Sequence, residues 1–191
     1  MIELLIDANT WPRFKFTQTQ VDILVPHYSI TRPLDTLTHI NGISIGELEQ
    51  KMRPGVDSRS GFIGHNEKLI ELLKADDELT RTLGFTCSQV VFPYFLATKA
   101  FFNHQWGFWL NDLPYVLGAR IYGGKQYSPL NDGTYTRTEL IINNITDPQP
   151  LDVSLLTIQM AAQIGFFGGK KVCHRIDPQA TVDFFHLTPL R

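Results

Sequence analysis

The chain has 191 residues, of which 43% are hydrophobic and only 19% charged, and its formal net charge at pH 7 is -2. This composition excludes an intrinsically disordered chain, because enough apolar surface is present to build a core. The small net charge gives no general reason to bind nucleic acid or an anionic membrane, so we expect neither as a partner.

The sequence shows no basic leader and no long apolar run, so we expect a cytoplasmic protein without a membrane span. The two cysteines, Cys87 and Cys173, lie far apart in the chain. In a reducing compartment they are expected to be buried thiols and not a disulfide or a metal pair.

The N-terminal part has the pattern of a β-hairpin. Residues 2–6 are mostly apolar, residues 7–9 have turn chemistry, and residues 11–17 alternate so that Phe14 and Phe16 point into the core. A short third strand is predicted over residues 21–25.

Residues 26–61 are rich in Pro and Gly and have little periodicity, which predicts a long irregular excursion. Loops of this length often cover a site, so residues 53–61 are a candidate lid, and a poorly ordered surface loop is the alternative. Within the excursion, Ser44 and Glu47 have the spacing of a capping box, which predicts a short helix over residues 44–52.

The clearest helical signal is a pair of helices joined by Gly84. The first has a leucine-rich stripe between residues 69 and 83, Asn66 as its expected N-cap and an expected interruption at residues 76–77. The second follows the capping-box spacing of Thr86 and Gln89 and extends to residue 102. Together they predict a helical hairpin in the middle of the chain.

The second half begins with an aromatic segment and then alternates between strand and helix patterns. Residues 135–143 predict a strand, residues 151–164 predict a helix, and residues 172–176 predict a short strand before a last amphipathic turn. We therefore predict an α+β fold with one compact domain over residues 1–191. In it, the N-terminal hairpin joins C-terminal strands in one antiparallel sheet around the central helical hairpin. A separate helical subdomain over residues 66–110 is the alternative.

One short element occurs twice, as residues 121–125 and 166–170: an apolar or aromatic pair followed by Gly-Gly-Lys. A double glycine allows φ > 0 and close approach, and the lysine places a positive charge beside free N–H groups. This is the chemistry of an anion-binding turn, although any sharp turn between buried elements has the same residues. Neither copy fits the spacing of a nucleotide-binding P-loop, so we expect no nucleotide cofactor.

The second copy opens the densest basic stretch of the chain, which predicts a site for a phosphate or carboxylate. We expect this stretch to approach a polar and aromatic cluster that begins at His104, and the alternative is a solvated edge strand. The predicted ligand-binding residues are Lys170, Lys171, His174, Arg175, Trp106 and Trp109.

An enzyme is a competing interpretation, with His104 or His174 as general acid or base beside a carboxylate such as Asp112 or Asp132. Cys87 is a candidate nucleophile, since it stands at a predicted helix N-terminus where the helix dipole can lower a thiol pKa. The histidines and cysteines have no metal-ligand spacing, so we expect no metal site.

The function that these patterns favour is binding of a small anionic ligand or of a protein partner. Catalysis by the histidines is one alternative. The other is a homo-oligomer or interaction module that uses the aromatic segment 101–115 as its interface. The sequence does not specify the ligand, the partner or the oligomeric state.

Overall fold

The computed structural model describes residues 8–25, 33–145 and 147–190. Over these ranges the chain has an α+β fold. The helices are α1 (Gln18–Leu24), α2 (Ile45–Met52), α3 (Leu69–Thr82), α4 (Cys87–Phe102), α5 (Leu155–Ile164) and α6 (Pro178–Phe184). The strands are β1 (Arg13–Phe14), β2 (His39–Ile40), β3 (Ile43–Ser44), β4 (Gly107–Leu110), β5 (Leu113–Tyr127), β6 (Tyr135–Asn144) and β7 (Asp147–Ser154).

Five strands form the main sheet in the order β1-β4-β5-β6-β7, and β2 pairs with β3 in a separate small hairpin. The main sheet is antiparallel except for β1, which pairs in parallel with β4. Strands β4 and β5 are joined by Asn111 and Asp112, whose φ angles of 48° and 65° are left-handed. Two such residues make the tight turn whose twist matches that of the strands.

The predicted helical hairpin is confirmed by α3 and α4. Helix α4 begins with a complete capping box between Thr86 and Gln89, and Gly84 has the expected positive φ of 82°. Residues on most faces of α4 are buried, because it packs against α1, α5, α6 and the sheet. Such a helix is the centre of the larger apolar core.

A second apolar cluster lies around α3 and the early part of the chain. It contains buried residues of β2, β3 and α2 together with Leu69 and Leu72 of α3 and Met160 of α5. The prediction of an irregular excursion over 26–61 is therefore wrong over residues 34–52, which contain β2, β3 and α2, while residues 53–61 form no helix or strand and the short helix over 44–52 is confirmed. Residues 26–32 lie outside the described part of the chain.

Two predicted strands are not strands. Residues 21–25 belong to the end of α1, because Thr17 caps a helix and Val21 and Val25 have the i, i+4 spacing that buries one helical face. Residues 172–176 form an irregular turn in which His174 has a left-handed φ of 64°, which breaks an extended conformation.

The N-terminal hairpin is corrected in part. Its first strand, over residues 2–6, lies outside the described residues. In its second strand only Arg13 and Phe14 pair, and they do so with β4. The strand over 135–143 is confirmed as β6, whereas the helix predicted over 151–164 begins at Leu155, after the last residues of β7.

Helix α3 differs from its prediction at two points. Its N-cap is Lys68 and not Asn66, and residues 76–77 do not interrupt it. Asp76 is tolerated in the helix because it turns inward to an ion pair with Arg175. Within the described ranges, no helix is both long enough and apolar enough to cross a lipid bilayer.

Candidate functional site

An open groove of about 530 Å³ lies where β5 separates from β6, and we call it the basic groove. One side is residues 57–60 of the predicted lid, and the other sides come from β5, β6 and the end of β7. The lining residues are Asp57, Ser58, Arg59, Ser60, Tyr122, Gly124, Lys125, Gln126, Thr136, Arg137, Thr138, Glu139 and Ser154.

The groove exists because β5 bulges. Ile121 pairs with Thr138 and Gln126 pairs with Thr136, so residues 122–125 of β5 face a single residue of β6, Arg137. The bulge contains the first Gly-Gly-Lys element, and a Cβ added at Gly123 or Gly124 would meet no atom within 4 Å. Neither glycine has a positive φ. These glycines therefore provide open space and not a left-handed turn.

Three cationic side chains, those of Arg59, Lys125 and Arg137, line the basic groove and are exposed. Among the described residues none of the three belongs to an ion pair. The Lys125 ammonium lies 4.1 Å from the centroid of the Tyr135 ring, a cation–π contact that leaves its N–H donors without a carboxylate. Two acids, Asp57 and Glu139, also line the groove, but neither forms an ion pair with these cations among the described residues, so cationic side chains outnumber acidic ones in the lining.

Of the two acids that line the groove, Asp57 is exposed and Glu139 is engaged by neighbouring side chains. The Glu139 carboxylate contacts His174 Nε2 at 2.8 Å through Oε1, and its Oε2 accepts a hydrogen bond from the Tyr122 hydroxyl. This hydrogen bond raises the pKa of Tyr122, because a carboxylate opposes the formation of a phenolate beside it. Arg120 donates to Asp152 at 2.7 Å and lies 3.9 Å from Glu139.

His174 is held by this network. Its Nδ1 is buried without a hydrogen-bond partner among the described residues, so a neutral imidazole carries its proton on Nε2, where it donates to Glu139. His174 is not one of the lining residues, but it contacts one that is. His174, a predicted acid–base residue, therefore lies next to the basic groove.

The second Gly-Gly-Lys element is closed. The Glu67 carboxylate accepts hydrogen bonds from the backbone N–H groups of Gly64 at 2.6 Å and Lys170 at 2.8 Å. The Gly169 N–H donates to the Phe62 carbonyl at 2.8 Å. The expected anion-binding turn is therefore occupied by a carboxylate of the same chain, although the side chains of Lys170 and Lys171 remain exposed.

Arg175, another predicted ligand-binding residue, is mostly buried. Its guanidinium makes a bidentate contact with Asp76, at 2.5 Å and 3.2 Å, and also donates to the Gly168 carbonyl. The Asp76 side chain is only 2% exposed. The two charges satisfy one another inside the fold.

The expected approach of the basic stretch to the His104 cluster is not seen as a contact. His104 and Trp106 are exposed and line a separate groove of about 240 Å³ with Ile121 of β5. Trp109 is half-buried, donates from Nε1 to the Ala8 carbonyl at 2.8 Å and lies under the Arg13 guanidinium. No hydrogen bond, ion pair or ring contact in the described part of the chain joins the two predicted groups.

The two predicted carboxylates have other partners than histidine. Asp112 pairs with Lys15, whose hydrogen bond holds the pKa of Asp112 below its ordinary value. Asp132 accepts from the Thr134 backbone N–H at 3.0 Å and from Gln159 Nε2 at 3.0 Å. Both therefore act in local turns and side-chain contacts.

The cysteines do not support nucleophilic chemistry. Burial raises the pKa of the Cys87 thiol to about 11, so the expectation of a lowered pKa at the helix N-terminus is wrong. The expectation that both thiols are buried is wrong for Cys173, which is exposed, and Cys87 is half-buried. In the described residues, no group of three or more His, Cys, Asp or Glu side chains is placed to hold a metal ion.

Sequence patterns predict the strand over residues 135–143 but do not single out Arg137 within it. The alternation of Thr136, Arg137 and Thr138 is the available signal, since it places the arginine on the opposite face from its two neighbours. Its proximity to residues 57–60 depends on long-range packing that no local pattern indicates.

Comparison of the chain with protein-family models, with curated proteins and with solved structures finds no match.

Proposed function

We propose that this protein binds a small anionic ligand in the basic groove. The observation that carries the proposal is the set of three exposed cations, Arg59, Lys125 and Arg137, which line one groove and form no ion pair among the described residues. Guanidinium groups recognise phosphate and carboxylate through paired, charge-assisted hydrogen bonds.

Other groups that line the groove also favour an anionic ligand. Hydroxyl groups of Ser58, Ser60 and Thr138 line it and can donate to an anion. Ser154, which also lines it, is the N-cap of α5, so the positive end of the dipole of that ten-residue helix lies at the same place. Of the two acids, Glu139 is already engaged by His174 and Tyr122.

The test is an NMR or calorimetric titration with pyrophosphate. We expect binding to the wild-type chain and a loss of about tenfold in affinity for Arg59→Ala and for Arg137→Ala, because each removes a charge-assisted hydrogen bond. Lys171→Ala is the matched control, since it removes an exposed cation outside the groove.

The outcomes separate the two basic regions of the chain. Binding that is lost in Lys171→Ala or Lys170→Ala and kept in Arg137→Ala would move the site to the second Gly-Gly-Lys element. The absence of any anion binding would contradict the proposal. The exposed Phe102 and Trp106, 62% and 64% exposed, would then make a protein partner the better supported alternative.

The contact between His174 and Glu139 favours a second candidate, an enzyme that performs acid–base chemistry on a ligand in the groove. Glu139 and Tyr122 line the groove, and a histidine hydrogen-bonded to a carboxylate is a common proton-transfer arrangement. Turnover of a phosphate ester that disappears in Glu139→Gln while pyrophosphate affinity persists would support it. Binding without turnover across phosphate and carboxylate esters would count against it.

A further inference from the structure

A second groove of about 440 Å³ adjoins the basic groove, and we call it the apolar groove. It lies between α4 and α5 beside the start of β6. Its lining includes Phe95, Phe102, Tyr135, Thr136 and Leu155, and none of its lining residues is charged.

The two grooves share a lining residue and contain residues that are adjacent in the chain. Thr136 lines both, and the chain passes from Ser154 in the basic groove to Leu155 in the apolar groove. Tyr135 of the apolar groove is the ring that the Lys125 ammonium of the basic groove contacts. A cation of one groove and an aromatic ring of the other are therefore in direct contact.

We infer that the ligand is an amphiphilic anion, with its anionic head in the basic groove and an apolar body in the apolar groove; this inference rests on the proposed function. Charge complementarity assigns the head to Arg59 and Arg137. We assign the apolar body of the ligand to the apolar groove because the Phe102 side chain there is 62% exposed. An apolar group that covers this side chain removes its apolar surface from water.

The arrangement also argues against a simple inorganic anion as the occupant. An inorganic phosphate would leave the apolar groove and the exposed faces of Phe102 and Tyr135 in water. Ligand sites in proteins are mostly apolar surfaces with a few polar groups that fix orientation, and the two grooves together have that composition.

Three probes separate the two parts of the site: 1-naphthyl phosphate has head and body, inorganic phosphate has the head alone, and 1-naphthol has the body alone. Binding is measured for each by NMR titration of the labelled protein. We expect 1-naphthyl phosphate to bind at least about tenfold more tightly than inorganic phosphate, because burying an aromatic ring adds affinity to the head group.

Two variants assign the grooves. We expect Arg137→Ala to weaken 1-naphthyl phosphate and inorganic phosphate but not 1-naphthol. We expect Phe102→Ala to weaken 1-naphthyl phosphate and 1-naphthol but not inorganic phosphate. The matched control for Phe102 is Trp106→Ala, which removes an aromatic ring that is 64% exposed and lines a different groove.

Each outcome has one meaning. If inorganic phosphate binds through Arg137 and 1-naphthyl phosphate binds no more tightly, the amphiphilic ligand is wrong and the anion site stands. The inference is also overturned if Trp106→Ala weakens 1-naphthyl phosphate as much as Phe102→Ala does. If no probe binds, both the inference and the proposed function fail.

Discussion

The two Gly-Gly-Lys elements have the same three residues and opposite surroundings. The first lies in a bulge of β5, where Gly124 and Lys125 line an open groove. The second is packed against the chain, with its backbone N–H groups bonded to Glu67 and Phe62. At the second element a carboxylate of the protein itself accepts from the Lys170 backbone N–H, whereas the first element carries no such internal acceptor in its lining of the groove. The surrounding residues therefore determine what the same three residues contact.

The largest expected effect separates the arginines of the two regions. Arg175→Ala should lower the free energy of unfolding by about 3–5 kcal/mol, because it leaves the Asp76 carboxylate buried without its partner. Arg137→Ala removes an exposed arginine of the basic groove and should change stability by no more than about 0.5 kcal/mol. Urea unfolding of both variants measures the difference. Equal and small losses would show that the second region is not closed.

The glycines provide the next comparison. A Cβ at Gly169 would clash with the Glu67 carboxylate and lie 2.7 Å from Val172 Cγ2 and 2.9 Å from the Ile63 backbone, so Gly169→Ala should cost about 2–4 kcal/mol. Gly123→Ala, with no atom within 4 Å, should stay within about 0.5 kcal/mol. Thermal unfolding of the matched pair is the measurement, and a costly Gly123→Ala would mean that the bulge is packed.

A third test concerns the internal anion of the second element. Glu67→Ala should cost about 1–3 kcal/mol, because the N–H groups of Gly64 and Lys170 lose their acceptor. Glu67→Gln keeps one carbonyl acceptor and should cost less. Added formate should restore stability to the alanine variant and not to the wild type, as measured by thermal shift. Equal responses to formate would contradict the role of the turn as an anion site.

The sequence was sufficient for elements whose signals are local. Helices α2 and α4 follow from their caps and α3 from its leucine stripe, because hydrogen bonds and side-chain spacing within one segment determine them. A short apolar run such as residues 21–25 suits either a strand or a helix, and the Thr17 N-cap is the local signal that indicates the helix. The parallel pairing of β1 with β4 joins segments that are distant in sequence, and no local pattern indicates it.

The candidate site was predicted in pieces. The lid residues 53–61 and the first Gly-Gly-Lys element were identified separately, and both contribute to the basic groove. The sequence does not indicate that these two segments lie side by side, because their proximity depends on the β5 bulge and on packing between residues that are far apart in the chain. Arg175 was assigned to a ligand because its charge is visible in the sequence, whereas its buried partner Asp76 is 99 residues away.

The smallest expected effect concerns Tyr122 and Glu139, which line the basic groove. The hydrogen bond to Glu139 raises the pKa of Tyr122 above the ordinary value of about 10. Glu139→Gln removes the negative charge and should return the ionisation of Tyr122 toward that value. The near-ultraviolet absorbance of phenolate, followed against pH for each protein with and without Tyr122→Phe, isolates this one tyrosine.

The hydrogen bond between Tyr122 and Glu139 also makes the free energy of unfolding depend on pH. Because the pKa of Tyr122 is raised in the folded state, the folded chain holds its phenolic proton at pH values where the unfolded chain has lost it. The contribution is therefore complete below about pH 10 and is lost as the pH rises through the folded pKa. Tyr122→Phe should remove this part of the pH dependence. If Glu139→Gln leaves the absorbance titration unchanged, the carboxylate does not hold Tyr122, and the acidic side of the basic groove is free to oppose an anion.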